Sequence, residues 1–308
     1  NLIHKAINAG VRHFDSAWLY GSDRYLGRAI ASSPVPRSQL FLATKLITDW
    51  AVPGATSVDG ESIVVRSGGS ETKVSLAEDS TNPADYFEAQ LADLNVSYVD
   101  ALFHHHMDAG EDVFLQTWHK MELLQAEGKV RFLGVSDRNM WNIVQDCIDA
   151  GECRPQQPVL VHLVEWNPCS IDAANFLASE DLPRMLKSGA AIVSHTAATC
   201  RGEPVVRSLA RKYGKSYYAV TFSWMRLTSA AALFMTTRSS HIKTNVEQVL
   251  DLSREERALL LGLQAVYSRP DFCQGDSELK YDPLGLNPLL AKGCEPASEN
   301  PDHDKSEL

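Results

Sequence analysis

Much is missing from this sequence. Its 308 residues contain no Cys-x-x-Cys pair, no Gly-x-Gly-x-x-Gly, and no excess of basic charge. No run approaches the ~20 apolar residues of a membrane span. Each absence excludes something. The formal net charge is −10, from 29 Lys and Arg against 39 Asp and Glu. That disfavours nucleic acid and anionic membranes as general partners, though not a local basic pocket for a phosphorylated cofactor. The six cysteines (Cys147, Cys153, Cys169, Cys200, Cys273 and Cys294) are scattered. In a chain this long they read as reduced thiols rather than a disulfide framework. With no signal peptide either, the expected location is the cytoplasm. The lone sequon, Asn95-Val96-Ser97, matters only in a secreted chain. The closing "KSEL" resembles an ER-retention tetrapeptide without its acidic second residue.

What is present alternates. Apolar strand-like runs at 11–17, 40–46, 98–106, 130–137, 159–166, 190–196 and 232–238 are separated by amphipathic helix-like runs. Continuous apolar strands alternating with helices predict a parallel sheet covered by helices. The first residues read as a helix following an absent strand. The expected fold is therefore a (β/α)8 TIM-type barrel over 1–267, with its first strand missing or trimmed. An open doubly wound sheet is the rival, and the missing glycine fingerprint counts against it. One segment, 51–83, breaks the rhythm. Its "SIVVRSGGSETKVSLA" has β-rich flanks around Gly68-Gly69 and predicts a hairpin. Following a strand's C-terminal end, it belongs on the active face, as lid or as decoration. The Pro-, Gly- and Asp-rich stretch 268–308 reads as a loop and a disordered tail.

In a barrel, residues at strand C-terminal ends converge on one site. The stretch "RHFDSAWLYGSDRYLG" places Asp15 at such an end and Tyr20 just beyond it. Lys45 and His105 close two further strands. This set suits proton transfer to a carbonyl oxygen. A free tyrosine, with a pKa of ~10, is a poor acid at neutral pH. An adjacent ammonium favours phenolate and lowers that value. A buried lysine needs a counter-ion, which Asp15 supplies. His105 is placed to hydrogen-bond and orient the substrate oxygen. His104 and His106 alternate with His105 and face the other way, too few for a metal site, so no metal is expected.

The motifs also carry a resemblance. "AINAGVRHFDSAWLYGSDRYLGRAI", "LATKL", "YVDALFHHHMD", "GKVRFLGVSDRN", "VLVHLVEWNP" and "LARKYGKSYYAVTFSWMR" resemble, in order, the motifs of the aldo-keto reductase family. The resemblance runs from about residue 2 to residue 267. It implies an NADPH-dependent carbonyl reductase on a (β/α)8 barrel, with Asp15, Tyr20, Lys45 and His105 as its catalytic tetrad. The substrate it implies is a small aldehyde or ketone.

The family's cofactor residues are less closely matched. Ser136 matches the serine that holds the nicotinamide carboxamide, while Asp137 replaces its Asn partner. His162-Leu163 stands where the family has Asn-Gln. His195 replaces the tyrosine that stacks under the nicotinamide, and Thr196 opens the following loop. "TTRSSHIKTN" resembles the family's adenosine-phosphate segment, placing Arg238, Ser239, His241 and Asn245 at the 2′-phosphate and adenine. Trp18, Trp50, His106 and Trp166 follow strand ends and are candidates to line the substrate pocket. These departures leave a second reading, a family member without hydride transfer. Such a chain binds a nucleotide as a regulatory subunit or works as a cofactor-independent isomerase or dehydratase.

Overall fold

In the computed structural model the described residues are 2–46, 56–57, 62–67, 70–75, 87–105, 110–163, 166–170, 173, 179–195, 200, 202–247 and 249–267. They fall into two compact units. The first comprises 1–164, 181–195 and 229–247 and holds the whole main sheet. Its seven strands are β1 (His13–Asp15), β2 (Phe41–Leu46), β6 (Val99–His104), β7 (Val130–Val135), β8 (Leu160–Leu163), β9 (Ala191–Ser194) and β10 (Ala231–Ala232). They pair in that order, all parallel. Sequential parallel pairing with a helix between most strands is the (β/α)8 arrangement. Every residue of β6 is buried, as a strand covered on both faces must be. The last strand is shorter than the run 232–238 suggested, since only Ala231 and Ala232 pair with β9.

Asp100 fixes the N-terminal ends of three strands. Its buried carboxylate accepts the Leu42 N–H at 2.9 Å and pairs with Arg37 at 2.7 Å and Arg131 at 2.8 Å. Gly27 serves close approach. A Cβ there would lie 2.5 Å from the Leu94 backbone, so only glycine lets helix Asp23–Ala31 touch the end of helix Phe87–Leu94.

The predicted hairpin is present. Strands β4 (Ser62–Ser67) and β5 (Ser70–Ser75) pair antiparallel, with Ser67 opposite Ser70, and β3 (Thr56–Ser57) adds to β4. Cα atoms of β4 come within 8 Å of the turn Trp18–Tyr20.

The second unit comprises 165–180, 196–228 and 248–308. Its helices Pro204–Tyr213 and Tyr217–Thr228 are joined at Gly214. Helix Arg254–Tyr267 opens on a capping box, in which Ser253 N–H donates to Glu256 and Glu256 N–H donates back to Ser253 Oγ. Glu256 also takes Lys212 at 2.8 Å and the Tyr213 hydroxyl at 2.6 Å. Trp166 is 2 % exposed, lies 6.0 Å from Trp224, and donates its N–H to Thr228.

The cysteines require a correction. Reduced thiols were expected, but Cys147 pairs with Cys153 in the first unit and Cys169 with Cys200 in the second. Cys147 lies in the last turn of helix Arg138–Asp149, the chain turns at Gly151, and the Cys153 N–H returns to the Cys147 carbonyl at 3.2 Å. The Cα separations, 5.2 and 5.5 Å, suit disulfides. Disulfides persist in oxidising compartments, so the cytoplasmic expectation loses the thiols it rested on.

Candidate active site

The strand ends of the first unit bring Asp15, Tyr20, Lys45 and His105 together. Asp15 ends β1 and Lys45 lies on β2, while His105 follows β6. Tyr20 arrives on a single 3-10 turn, Trp18–Tyr20. Gly21 closes that turn in the left-handed conformation (φ 62°), donating its N–H to the Trp18 carbonyl. A side chain there would strain the backbone that presents the phenol.

Lys45 is 1 % exposed. Its ammonium is bonded to the Asp15 carboxylate and donates to the Ser16 carbonyl at 2.9 Å. The same nitrogen lies 5.3 Å from the centre of the Tyr20 ring. The His105 ring meets the Tyr20 ring edge-on at 5.8 Å. Tyr20 itself is 45 % exposed, so its phenol reaches the open side of this cluster.

Sequence reasoning missed the framework beneath. Ser16 Oγ donates to Asp23 Oδ1 at 2.5 Å. Gln90 donates to Thr44 Oγ1 at 2.6 Å and to Asp23 Oδ2 at 3.1 Å. These bonds tie the β1 and β2 ends to the helix that follows Tyr20. Asp23 could have been suspected as an acid at a helix start, but Gln90 lies in a different motif and gives no such signal.

Electrostatics at Tyr20 differ from expectation. Its pKa is pushed up to about 12, first by burial and then by the Asp15 carboxylate. The lysine does not pull it down, because the Lys45 charge is already matched by Asp15. Asp15 is raised by burial, with Lys45 opposing. The phenol therefore stands protonated at neutral pH, the form required of a proton donor. Burial and the Lys45 charge also hold His13 and His195 at about 4 and His162 well below its usual value. These three imidazoles are neutral at pH 7.

The opposite part of the strand-end face carries the cofactor candidates. Ser136 follows β7, and its buried hydroxyl has no hydrogen-bond partner. Asp137 caps helix Arg138–Asp149, accepting the Met140 N–H at 2.8 Å. His162 on β8 is buried with Nε2 unpartnered, 4.7 Å from the His195 ring. Leu163 beside it is buried and apolar. Arg238 precedes helix Ser239–Glu247. Its N–H donates to Thr236 Oγ1 at 3.1 Å, and its carbonyl accepts the His241 N–H at 3.2 Å. Ser239 is exposed at the helix start and Asn245 is buried further along. Trp18 is half-buried on the Tyr20 turn. Trp50, His106 and Thr196 lie outside the described residues. His104 packs its ring on Phe114 at 4.5 Å.

Among the described residues one group has metal-ligand spacing, His119 with Cys147 and Cys153. Both sulfurs are bound to each other, and a disulfide is a poor metal ligand. No helix among the described residues is long and apolar enough to cross a membrane.

The sequence matches the Aldo/keto reductase family over residues 1–197. The chain belongs to this family. It is thus an oxidoreductase of the aldo/keto reductase type, and the family generally uses NAD(P)H. A methylglyoxal reductase, DkgA, of Yersinia pestis is 22 % identical over 265 residues, covering 84 % of this chain and 80 % of that protein. A 9,11-endoperoxide prostaglandin H2 reductase of Trypanosoma cruzi is 26 % identical over 255 residues, covering 80 % and 75 %. The aldo/keto reductase structure from Brucella melitensis superposes with a TM-score of 0.62 at 22 % identity, covering 85 % of this chain and 88 % of that one. An aldose reductase from Schistosoma japonicum gives 0.61 at 19 %, covering 85 % and 82 %. These structures support the fold.

The polar groups on the cofactor side suit a nicotinamide dinucleotide. A buried hydroxyl at Ser136 and a buried imidazole nitrogen at His162 lack partners and can meet a carboxamide. Arg238 and the first N–H groups of helix Ser239–Glu247 supply cationic and dipolar character for a phosphate.

Proposed function

We propose that this aldo/keto reductase reduces a small aldehyde or ketone to the alcohol with NADPH, and that Tyr20 delivers the proton. Bound NADPH supplies hydride to the carbonyl carbon. In this reading Ser136 and His162 hold the carboxamide, His195 flanks the nicotinamide, and Arg238, Ser239, His241 and Asn245 hold the adenosine phosphate end. The observation that carries the proposal is the Tyr20 phenol, half-exposed and protonated, set between the Lys45–Asp15 pair and the His105 ring.

The chain's own residues account for the proton. Tyr20 donates to the carbonyl oxygen as negative charge develops there. The Lys45 ammonium, 5.3 Å from the ring centre, positions the phenol as the proton leaves. Asp15 holds that ammonium in place, and His105 orients the oxygen. In this reading the hairpin, whose strand β4 lies near the Tyr20 turn, acts as a lid over the substrate. The names of the bacterial relatives make methylglyoxal the first substrate to assay.

Replacing Tyr20 with Phe tests the role directly. Turnover should fall by about 10²–10⁴-fold, the range for removing a general acid. NADPH affinity, followed by tryptophan fluorescence, should be unchanged. In the unmodified enzyme the pH profile for reduction should show no loss from Tyr20 until pH nears 12, because the acid form persists below its pKa. A Phe variant with normal turnover would remove Tyr20 from the mechanism. Failure of the unmodified chain to bind NADPH would instead favour the cofactor-independent reading, which Leu163 in place of a polar residue supports.

A further inference from the structure

One sequence motif has no part in the site. Asn95-Val96-Ser97 is the chain's single Asn-x-Ser/Thr triplet. It forms the turn between helix Phe87–Leu94 and strand β6. Asn95 has φ 51°, the left-handed conformation, and no other non-glycine residue shares it among those described. The Asn95 N–H bonds the Ala92 carbonyl at 3.1 Å, and the Val96 N–H bonds that of Leu91 at 3.1 Å. The helix thus ends on a left-handed cap, a position asparagine tolerates. That employs only the backbone. The Asn95 and Ser97 side chains are both exposed, and neither has a bonding partner among the described residues.

We propose that Asn95 is an N-glycosylation site and that the chain matures in an oxidising lumen. Two independent observations meet here. The acceptor amide and the hydroxyl two residues on both stand free on an exposed turn, as the modification requires. Four of the six cysteines are joined in disulfides, which form in the compartments where N-glycans are attached. The position is also compatible with activity. Asn95 precedes β6 while His105 follows it, and six strand residues at ~3.3 Å each separate the two ends by roughly 20 Å. A glycan at this turn leaves the Tyr20 side of the sheet uncovered.

The donor is an oligosaccharide linked through pyrophosphate to a lipid. Asn95 Nδ2 bonds to the first sugar's C1 as the bond from C1 to pyrophosphate oxygen breaks. The lipid pyrophosphate leaves, and one amide proton is released. No electrons are transferred.

The test uses the full chain isolated from its source cells, with thiols trapped by N-ethylmaleimide at lysis, followed by peptide mass spectrometry. The peptide containing Asn95 should carry a hexosamine-based glycan, and peptide N-glycosidase should leave aspartate there. Cys147, Cys153, Cys169 and Cys200 should take up label only after reduction. In the same cells, Ser97→Ala and Asn95→Gly should both lose the glycan, the second while keeping the left-handed turn. Both should fold and retain reductase activity. A mature chain with unmodified Asn95 would overturn the proposal. So would labelling of those four cysteines before reduction, or a glycan that survives Ser97→Ala.

Discussion

Two regions of the strand-end face treat their polar groups differently. Around Tyr20 the groups hold one another: Lys45 binds Asp15 and Ser16, Ser16 binds Asp23, and Gln90 binds Asp23 and Thr44. On β1, Asp15 Oδ2 and His13 Nε2 are buried without a hydrogen-bond partner among the described residues. Around β7 and β8, by contrast, Ser136 Oγ and His162 Nε2 are buried without partners among the described residues. An unpaired buried polar group costs about 1–3 kcal/mol. The first region is therefore completed by folding. The second carries a cost that NADPH, in the proposed reading, would relieve. Mutations should separate the two, the first losing stability together with activity and the second losing ligand affinity alone.

The largest effect should come from Lys45→Met. Activity should fall to background, and stability should drop by about 3–5 kcal/mol because Asp15 is left buried without its counter-ion. The stability loss should shrink at low pH. Burial already raises the Asp15 pKa, and without Lys45 the carboxyl takes up a proton more readily and sheds its charge. Thermal melts at several pH values check both statements, and an unchanged melting temperature would mean that the pair is solvated.

A smaller effect is expected at the adenosine end. Removing a charge-assisted hydrogen bond forfeits roughly 1.5–3 kcal/mol. Arg238→Ala should therefore weaken NADPH about ten- to a hundredfold and leave NADH nearly unchanged. Equal weakening of both cofactors would assign Arg238 to the fold instead.

The smallest effect sharpens the contrast most. Ser136→Ala should weaken either cofactor about tenfold, the equivalent of one ordinary hydrogen bond. It should not lower the melting temperature, since the hydroxyl it removes bonds nothing in the free protein. A destabilised Ser136→Ala protein would show that the second region is also held together by folding.

The same contrast explains what could be read in advance. Asp15 and Tyr20 lie in one motif, and Lys45 and His105 lie at strand ends, so strand periodicity together with the family resemblance placed them at one end of the sheet. The sheet order and the hairpin at Ser67–Ser70 follow equally from local patterns. What escaped depends on distances between remote segments. Spacings of 6 and 31 residues between cysteines do not reveal that their Cα atoms approach to 5.2 and 5.5 Å. Gln90 gave no hint that it would reach Thr44. The Tyr20 shift runs upward, against expectation, because burial of the phenol and, after it, the Asp15 carboxylate outweigh the nearby lysine.

The two disulfides also set an order of events during synthesis. The bond between Cys147 and Cys153 spans six residues and draws only on one helix end and its turn, so it can close soon after that stretch leaves the ribosome. Its partners across the second bond are 31 residues apart, and the sequence between them includes helix Asp181–Ser188 and strand β9. Cys169 must therefore wait until that helix and strand have been made. The short ring closing first removes two of the wrong partners from that interval.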